Sequence, residues 1–220
     1  MRGGPGIITA ITAWLLAGGG IVAGSLALGP KPDLLVAVLL AQAAVVLPVA
    51  LLVLRLPAGE LGLGRCASRD LGQAMALIPL AAIASFAVLF LTIAFAGPPP
   101  PGQAVEQAIH SIHARLGWAG LILFAAVLPG ICEEMLFRGV ILRGLRRRLP
   151  PGWAVVLTAL LFAGLHFSPW RFLPQFVLGC ILGWLALRSG SCWPAAVVHA
   201  GHNAGIVVIA ILVDHAMGNR

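Results

Sequence analysis

The sequence predicts an all-α, polytopic bundle of membrane-spanning helices. Of its 220 residues, 60% are hydrophobic and only 10% are charged, whereas a soluble domain carries about 25% charged residues. The mean hydropathy is +1.01. Apolar runs of the length that crosses a bilayer recur along the chain. We therefore expect about seven spans, within a range of six to eight.

Three spans are predicted in the amino-terminal part, at residues 6–29, 34–54 and 71–96. The first run is longer than the ~7–15-residue apolar core of a signal peptide, which favours a retained span. The proline-rich stretch 97–102 cannot continue a helix. We take it as a boundary between amino-terminal helices and linker, residues 1–103, and a catalytic part, residues 104–220.

The second part begins with an amphipathic pattern at residues 104–116, which is typical of a helix in the plane of the membrane interface. Four further spans are predicted after it, at residues 117–143, 153–167, 172–187 and 193–213. Glycines four residues apart, Gly179 with Gly183 and Gly201 with Gly205, predict close helix packing in the last two spans.

The basic residues are distributed as in a membrane protein rather than a nucleic-acid-binding one. The net charge is +7, but Lys31 is the only lysine and four of the fourteen basic residues form one cluster. Seven spans put the arginine-bearing loops on one side, predicted to be cytoplasmic: Arg55, Arg65, Arg69, Arg143, Arg146, Arg147, Arg148 and Arg188. Lys31 and Arg171 do not fit this rule. We expect the lipid bilayer, and no nucleic acid, as a partner.

A pair of adjacent glutamates, Glu133 and Glu134, lies inside the predicted fourth span. Ionisable groups at membrane depth are costly and usually mark function. Glu134 and Arg138 are four residues apart, so they share a helix face and are predicted to form an ion pair. Glu133 is rotated about 100° from that face and remains free for chemistry.

Three more polar residues, His166, His199 and Asn203, are predicted at a similar depth. At 1.5 Å per helical residue, Glu133, His166 and Asn203 each lie roughly 16–21 Å from the basic loops, with His199 about one turn nearer to them. Any one of these side chains alone would be explained by a hydrogen bond to a neighbouring helix. Four together favour a site. His202 lies beside the face of His199 and has no predicted role.

A carboxylate and a histidine that converge on one point can hold and deprotonate a water molecule. A second histidine and an asparagine amide can donate to the oxyanion of a tetrahedral intermediate. The sequence contains neither GxSxG nor HExxH. The four cysteines lack ligand spacing, and we interpret them as free packing residues, although Cys132 adjoins the glutamate pair.

The patterns Glu133-Glu134-x-x-x-Arg138, Phe162-x-x-x-His166 and His199-x-x-x-Asn203 resemble the three motifs of the CPBP (Abi) family. The resemblance covers about residues 117–213. It implies a four-helix catalytic part and a glutamic intramembrane endopeptidase related to CAAX and bacteriocin-processing proteases. By this resemblance Glu133 is the general base, His166 orients or activates the water, and His199 and Asn203 form the oxyanion hole. Glu134 and Arg138 support the motif.

Two other functions are compatible with these residues. Glu133, His166 and His199 would satisfy a His₂Glu zinc site of a membrane hydrolase. Buried Glu, His and Asn also occur in transporters, and a non-catalytic immunity protein is a further variant. We expect no metal and no cofactor. The expected substrate is a membrane-associated or lipidated peptide, and the arginine bias and short length favour a bacterial cell membrane.

Overall fold

The computed structural model describes residues 4–29, 33–99 and 104–216, and these ranges are helical throughout apart from turns and short loops. The amino-terminal helices are α1 (Ile7–Leu28), α2 (Leu34–Val53) and α3 (Ser68–Ala96), with a short 3₁₀ turn at Ala58–Leu61. The all-α prediction is confirmed. The predicted boundary at residue 103 lies outside the described ranges, and the division into two parts stays a prediction.

A long helical rod follows, formed by α4 (Ala104–Ile122), α5 (Leu128–Glu134) and α6 (Leu142–Arg146). Wider π-helical turns at Leu123–Val127 and Met135–Ile141 join them. Within α4 the backbone at Gly117 has a φ of 64°, a conformation that glycine adopts without steric cost. The rod therefore bends where the sequence predicted an interfacial helix to meet a span.

The chain ends with α7 (Pro151–Gly164), α8 (Pro169–Ser189) and α9 (Trp193–Ala216). In the described ranges, six helical stretches are long and apolar enough to cross a membrane: Ile7–Leu28, Leu35–Val53, Ser68–Ala96, Ile109–Arg146, Pro169–Ser189 and Trp193–Leu212. Helix α7 has 14 residues and is only about 21 Å long. The count falls within the predicted range, and α7 corresponds to the fifth predicted span, residues 153–167.

Large apolar side chains cover the outer faces of the bundle. Phe95 is 89% exposed, Leu54 83% and Leu26 77%. In water such a surface would be an aggregation hazard, but hydrocarbon chains solvate it at no cost. Together with the six long apolar helices, this surface identifies an integral, multi-pass membrane protein.

The arginine-bearing loops meet at one end of the bundle. The Cys192 amide donates to the Gly62 carbonyl over 2.9 Å, and Arg143 donates to the Gly190 carbonyl over 2.5 Å. At the opposite end the Trp170 indole donates to the Gly97 carbonyl over 2.9 Å. The fold therefore places these loops at the same end of the bundle, as the sequence predicted.

Close helix packing uses glycine at fewer positions than the sequence predicted. A Cβ added to Gly179 would lie 2.9 Å from the Ala159 Cβ, and one on Gly183 would lie 3.1 Å from Val155, so this pair seats α8 on α7. A Cβ on Gly201 would press on the Ile78 side chain of α3, but one on Gly205 would meet nothing within 4 Å. The prediction of close packing at Gly205 is wrong, because that position faces open space.

Candidate active site

The ion pair predicted from helix spacing is present and lies in the centre of the bundle. Arg138 Nη1 donates to Glu134 Oε1 over 2.7 Å, and both side chains are fully buried. The other terminal nitrogen, Nη2, donates to the Gly179 carbonyl of α8 over 2.9 Å. The guanidinium also lies 4.9 Å from the centre of the Phe162 ring. Glu134 and Arg138 therefore join the long rod to α7 and α8.

His199 lies between the two glutamates. Its Nδ1 is 2.8 Å from Glu134 Oε1, and because a carboxylate only accepts, the hydrogen is on Nδ1. Its Nε2 is 3.9 Å from Glu133 Oε2, which is an electrostatic contact rather than a hydrogen bond. Glu134 thus fixes the orientation of an imidazole whose other nitrogen faces Glu133. The sequence did not predict this contact, since 65 positions separate the two residues.

His166 does not lie within a helix, contrary to the prediction that it is deep in the fifth span. Helix α7 ends at Gly164, and His166 occupies the turn that follows. Its Nδ1 donates to the Phe162 carbonyl over 3.0 Å, so in the neutral ring Nε2 is the free acceptor. The next residue, Phe167, has a φ of 46°, a left-handed conformation that is strained for a bulky side chain.

Phe162 is the aromatic centre around which the site is arranged. Its ring meets His166, His199 and Phe137 edge-on, with ring centres 5.0, 5.5 and 5.1 Å apart. These T-shaped contacts hold both imidazoles against one fully buried side chain. The sequence placed Phe162 in a motif but gave it no role.

One cavity of about 380 Å³ is lined by Glu133, His166, His199 and Asn203 together. Glu133 is the less buried glutamate, with 17% of its side chain exposed. Most of the wall is apolar and includes Ile21 of α1 and Val38 of α2. The amino-terminal helices, which the sequence left without a function, therefore help to enclose the site.

Three further polar residues line this cavity and were not predicted as site residues: Gln42, Arg171 and Gln175. Arg171 lines the same cavity as Glu133 and carries the opposite charge. The sequence did give one indication of a role for Arg171, because this residue does not fit the predicted placement of arginines on one side of the membrane. An arginine on the other side has to be explained by a local partner.

The described ranges contain no group of three or more His, Cys, Asp or Glu residues with metal-binding geometry. Cys132 is buried and free and does not line the cavity. His202 is also buried, and its Nδ1 lies 3.4 Å from Asn203 Oδ1.

Residues 115–205 match the family of type II CAAX prenyl endopeptidase Rce1-like proteins. This part of the chain resembles the CPBP family, to which the Rce1-like proteins belong. The matched CPBP segment begins beside the bend at Gly117 and includes all six predicted site residues. The family consists of proteases that act within membranes, which supports peptidase activity for this chain. No curated protein and no solved structure gives a significant match.

Proposed function

We propose that this protein is a glutamic intramembrane endopeptidase in which Glu133 is the general base. The observation that carries the proposal is the division between the two glutamates. Glu134 is neutralised by Arg138 and bonded to His199, whereas Glu133 faces a cavity that it shares with two histidines and an amide. A carboxylate that faces a cavity and is not held in a direct hydrogen-bonded ion pair can accept a proton during reaction.

In the proposed reaction, Glu133 removes a proton from a water molecule that also donates to His166 Nε2. The water oxygen attacks the peptide carbonyl carbon, and the negative charge moves to the carbonyl oxygen. Asn203 and His199 donate hydrogen bonds to that oxygen. The carbon–nitrogen bond then breaks, and Glu133 returns its proton to the leaving amine.

The contacts of His199 define the protonation state in which its ring would act. Nδ1 already donates to Glu134, so Nε2 can donate to an oxyanion only if the ring is the imidazolium. Two carboxylates, at 2.8 and 3.9 Å, supply the compensating charge. In this proposal Glu134 acts through His199 and does not touch the substrate.

The largely apolar cavity favours a membrane-associated or lipidated peptide as the substrate, since a charged, hydrated peptide would lose its solvation there. The CPBP segment supports the same substrate class. A bacterial cell membrane remains our proposed location, on the basis of sequence composition.

The test is hydrolysis of an internally quenched peptide with a prenylated cysteine by the purified chain after exhaustive chelation. We expect Glu133→Gln to lower kcat by at least about 10²-fold, the usual contribution of a general base, with an unchanged melting temperature. Glu60→Gln is the matched control, because Glu60 is exposed and does not line the cavity. Full activity in Glu133→Gln would overturn the proposal.

The same assay separates the other two functions. Activity that is lost on chelation and restored by zinc would indicate the metal hydrolase. If the peptide stays intact, cleavage products are sought by comparing membrane proteomes of cells with the wild-type chain and with Glu133→Gln. No difference there, with proton flux in liposomes that requires Glu133, would indicate a transporter.

A further inference from the structure

A second cavity of about 190 Å³ lies between α3, α8 and α9, beside the candidate active site. Its polar lining consists of Ser85, Arg171, Gln175 and His202. No predicted catalytic residue lines this smaller cavity, which we call the side chamber. Its polar groups come from three different helices, so they meet only in the folded bundle.

Three buried polar atoms of the side chamber have no hydrogen-bond partner within the described ranges: Ser85 Oγ, Gln175 Oε1 and His202 Nε2. Their residues are only 5%, 6% and 3% exposed. Each unpaired buried group costs about 1–3 kcal/mol, and natural proteins rarely leave such groups unsatisfied. Three around one cavity therefore indicate a polar occupant.

The chemistry of the lining defines that occupant. Gln175 Oε1 only accepts, and His202 Nε2 also accepts while Nδ1 donates to Asn203. Two acceptors cannot satisfy each other, and the Ser85 hydroxyl supplies one hydrogen at most. Arg171 adds donors only. Water, which both donates and accepts, can bridge these groups, and one molecule takes about 30 Å³ in the liquid, so several fit.

The side chamber adjoins the active-site cavity, because Arg171, Gln175 and Ile206 line both. A peptide in the main cavity would displace the water there, yet each hydrolysis consumes one water molecule. We propose that the side chamber stores water and supplies it to Glu133 past Arg171. The supply role rests on the proposed hydrolytic function, but the hydration does not.

Hydration is tested with Ser85→Cys in the full chain in lipid vesicles, without substrate. Methyl methanethiosulfonate reacts with the thiolate, which forms readily only in a hydrated site. Mass spectrometry of the proteolytic fragment that contains residue 85 distinguishes this label from labels on the four native cysteines. Ala81→Cys is the matched control, one turn earlier on α3, fully buried and outside the chamber. We expect the thiol of Ser85→Cys to react at least about tenfold faster than that of Ala81→Cys.

Supply is tested by turnover of the same labelled proteins. The added methylthio group occupies the chamber, so we expect kcat of the Ser85→Cys protein to fall in proportion to its labelling, with KM little changed. A thiol reductant should restore it, and the Ala81→Cys protein should not respond. Equal, slow labelling at both positions would overturn the hydrated chamber. Fast labelling of the Ser85→Cys protein without loss of kcat would overturn the supply role. Absence of peptidase activity in the unsubstituted, unlabelled chain would count against the proposed function alone.

Discussion

Glu133 and Glu134 are adjacent in the chain but differ in their hydrogen bonds and in their exposure to the cavity. Glu134 accepts hydrogen bonds from Arg138 and His199 through one oxygen, Oε1. Glu133 has neither of these bonds and lines the cavity. Loss of the Glu134 carboxylate should therefore damage the fold, and loss of the Glu133 carboxylate only the chemistry.

We predict that Glu134→Gln lowers both stability and activity, because it leaves the Arg138 charge buried without an anion. Breaking a buried ion pair costs about 3–5 kcal/mol. Thermal unfolding in detergent should show a clearly lower melting temperature for Glu134→Gln than for Glu133→Gln. The double variant Glu134→Gln/Arg138→Met, which removes both charges, should recover much of the loss. Equal melting temperatures for the two single variants would contradict this assignment.

At the scale of single residues, the sequence predicted those contacts that depend on helix spacing alone. The contact between Glu134 and Arg138 follows from four residues on one face. The contact between His199 and Glu134, and the presence of Arg171 in the cavity, depend on how separate helices dock. His166 was assigned to a span because its neighbours are apolar, but α7 ends two residues earlier.

At the scale of the helices, the crossing of α5 and α9 fixes the distance between Glu133 and His199. Gly130, three residues before Glu133, is a point of close approach. A Cβ there would lie 2.8 Å from the Ala200 backbone nitrogen and 2.9 Å from its Cα. Backbone cannot give way as a flexible side chain can, so the two helices would have to separate.

We predict that Gly130→Ala removes most of the peptidase activity and destabilises the chain by about 1–3 kcal/mol, the usual cost of overpacking. Gly205→Ala is the control, since it lies on α9 and a Cβ there meets nothing within 4 Å. That change should be neutral or slightly stabilising. Measurements are turnover of the quenched peptide and thermal unfolding. Wild-type activity in Gly130→Ala would show that this crossing does not position the site.

The long rod contains both features that the sequence predicted and features that it could not predict. Its apolar runs predicted a span, and the glycine at 117 bends it where the pattern changed. The two π-helical turns were not predictable, because nothing in the residue types at Leu123–Val127 or Met135–Ile141 distinguishes them from α-helix. The second turn begins directly after Glu134.

At the scale of the whole molecule, the bundle has a basic end and an opposite end. The basic end joins the loop at Gly62 to the turn at Cys192, and the other end joins Gly97 to Trp170. The exposed apolar belt lies between them. Length, composition and charge predicted this arrangement well, since they depend on the bilayer rather than on particular contacts.

We predict that the basic end faces the cytoplasm, because arginine-rich loops are retained on that side. Gly59→Cys marks this end without removing a charge, since the position is exposed and a side chain meets nothing within 4 Å. Pro98→Cys, also exposed, marks the other. A membrane-impermeant maleimide should label the Pro98→Cys protein in intact cells, and the Gly59→Cys protein only after the membrane is opened. The unsubstituted chain controls for its own thiols, chiefly the half-buried Cys66. The reverse pattern would place the basic loops outside, and labelling of both proteins in intact cells would mean that the two ends share one side.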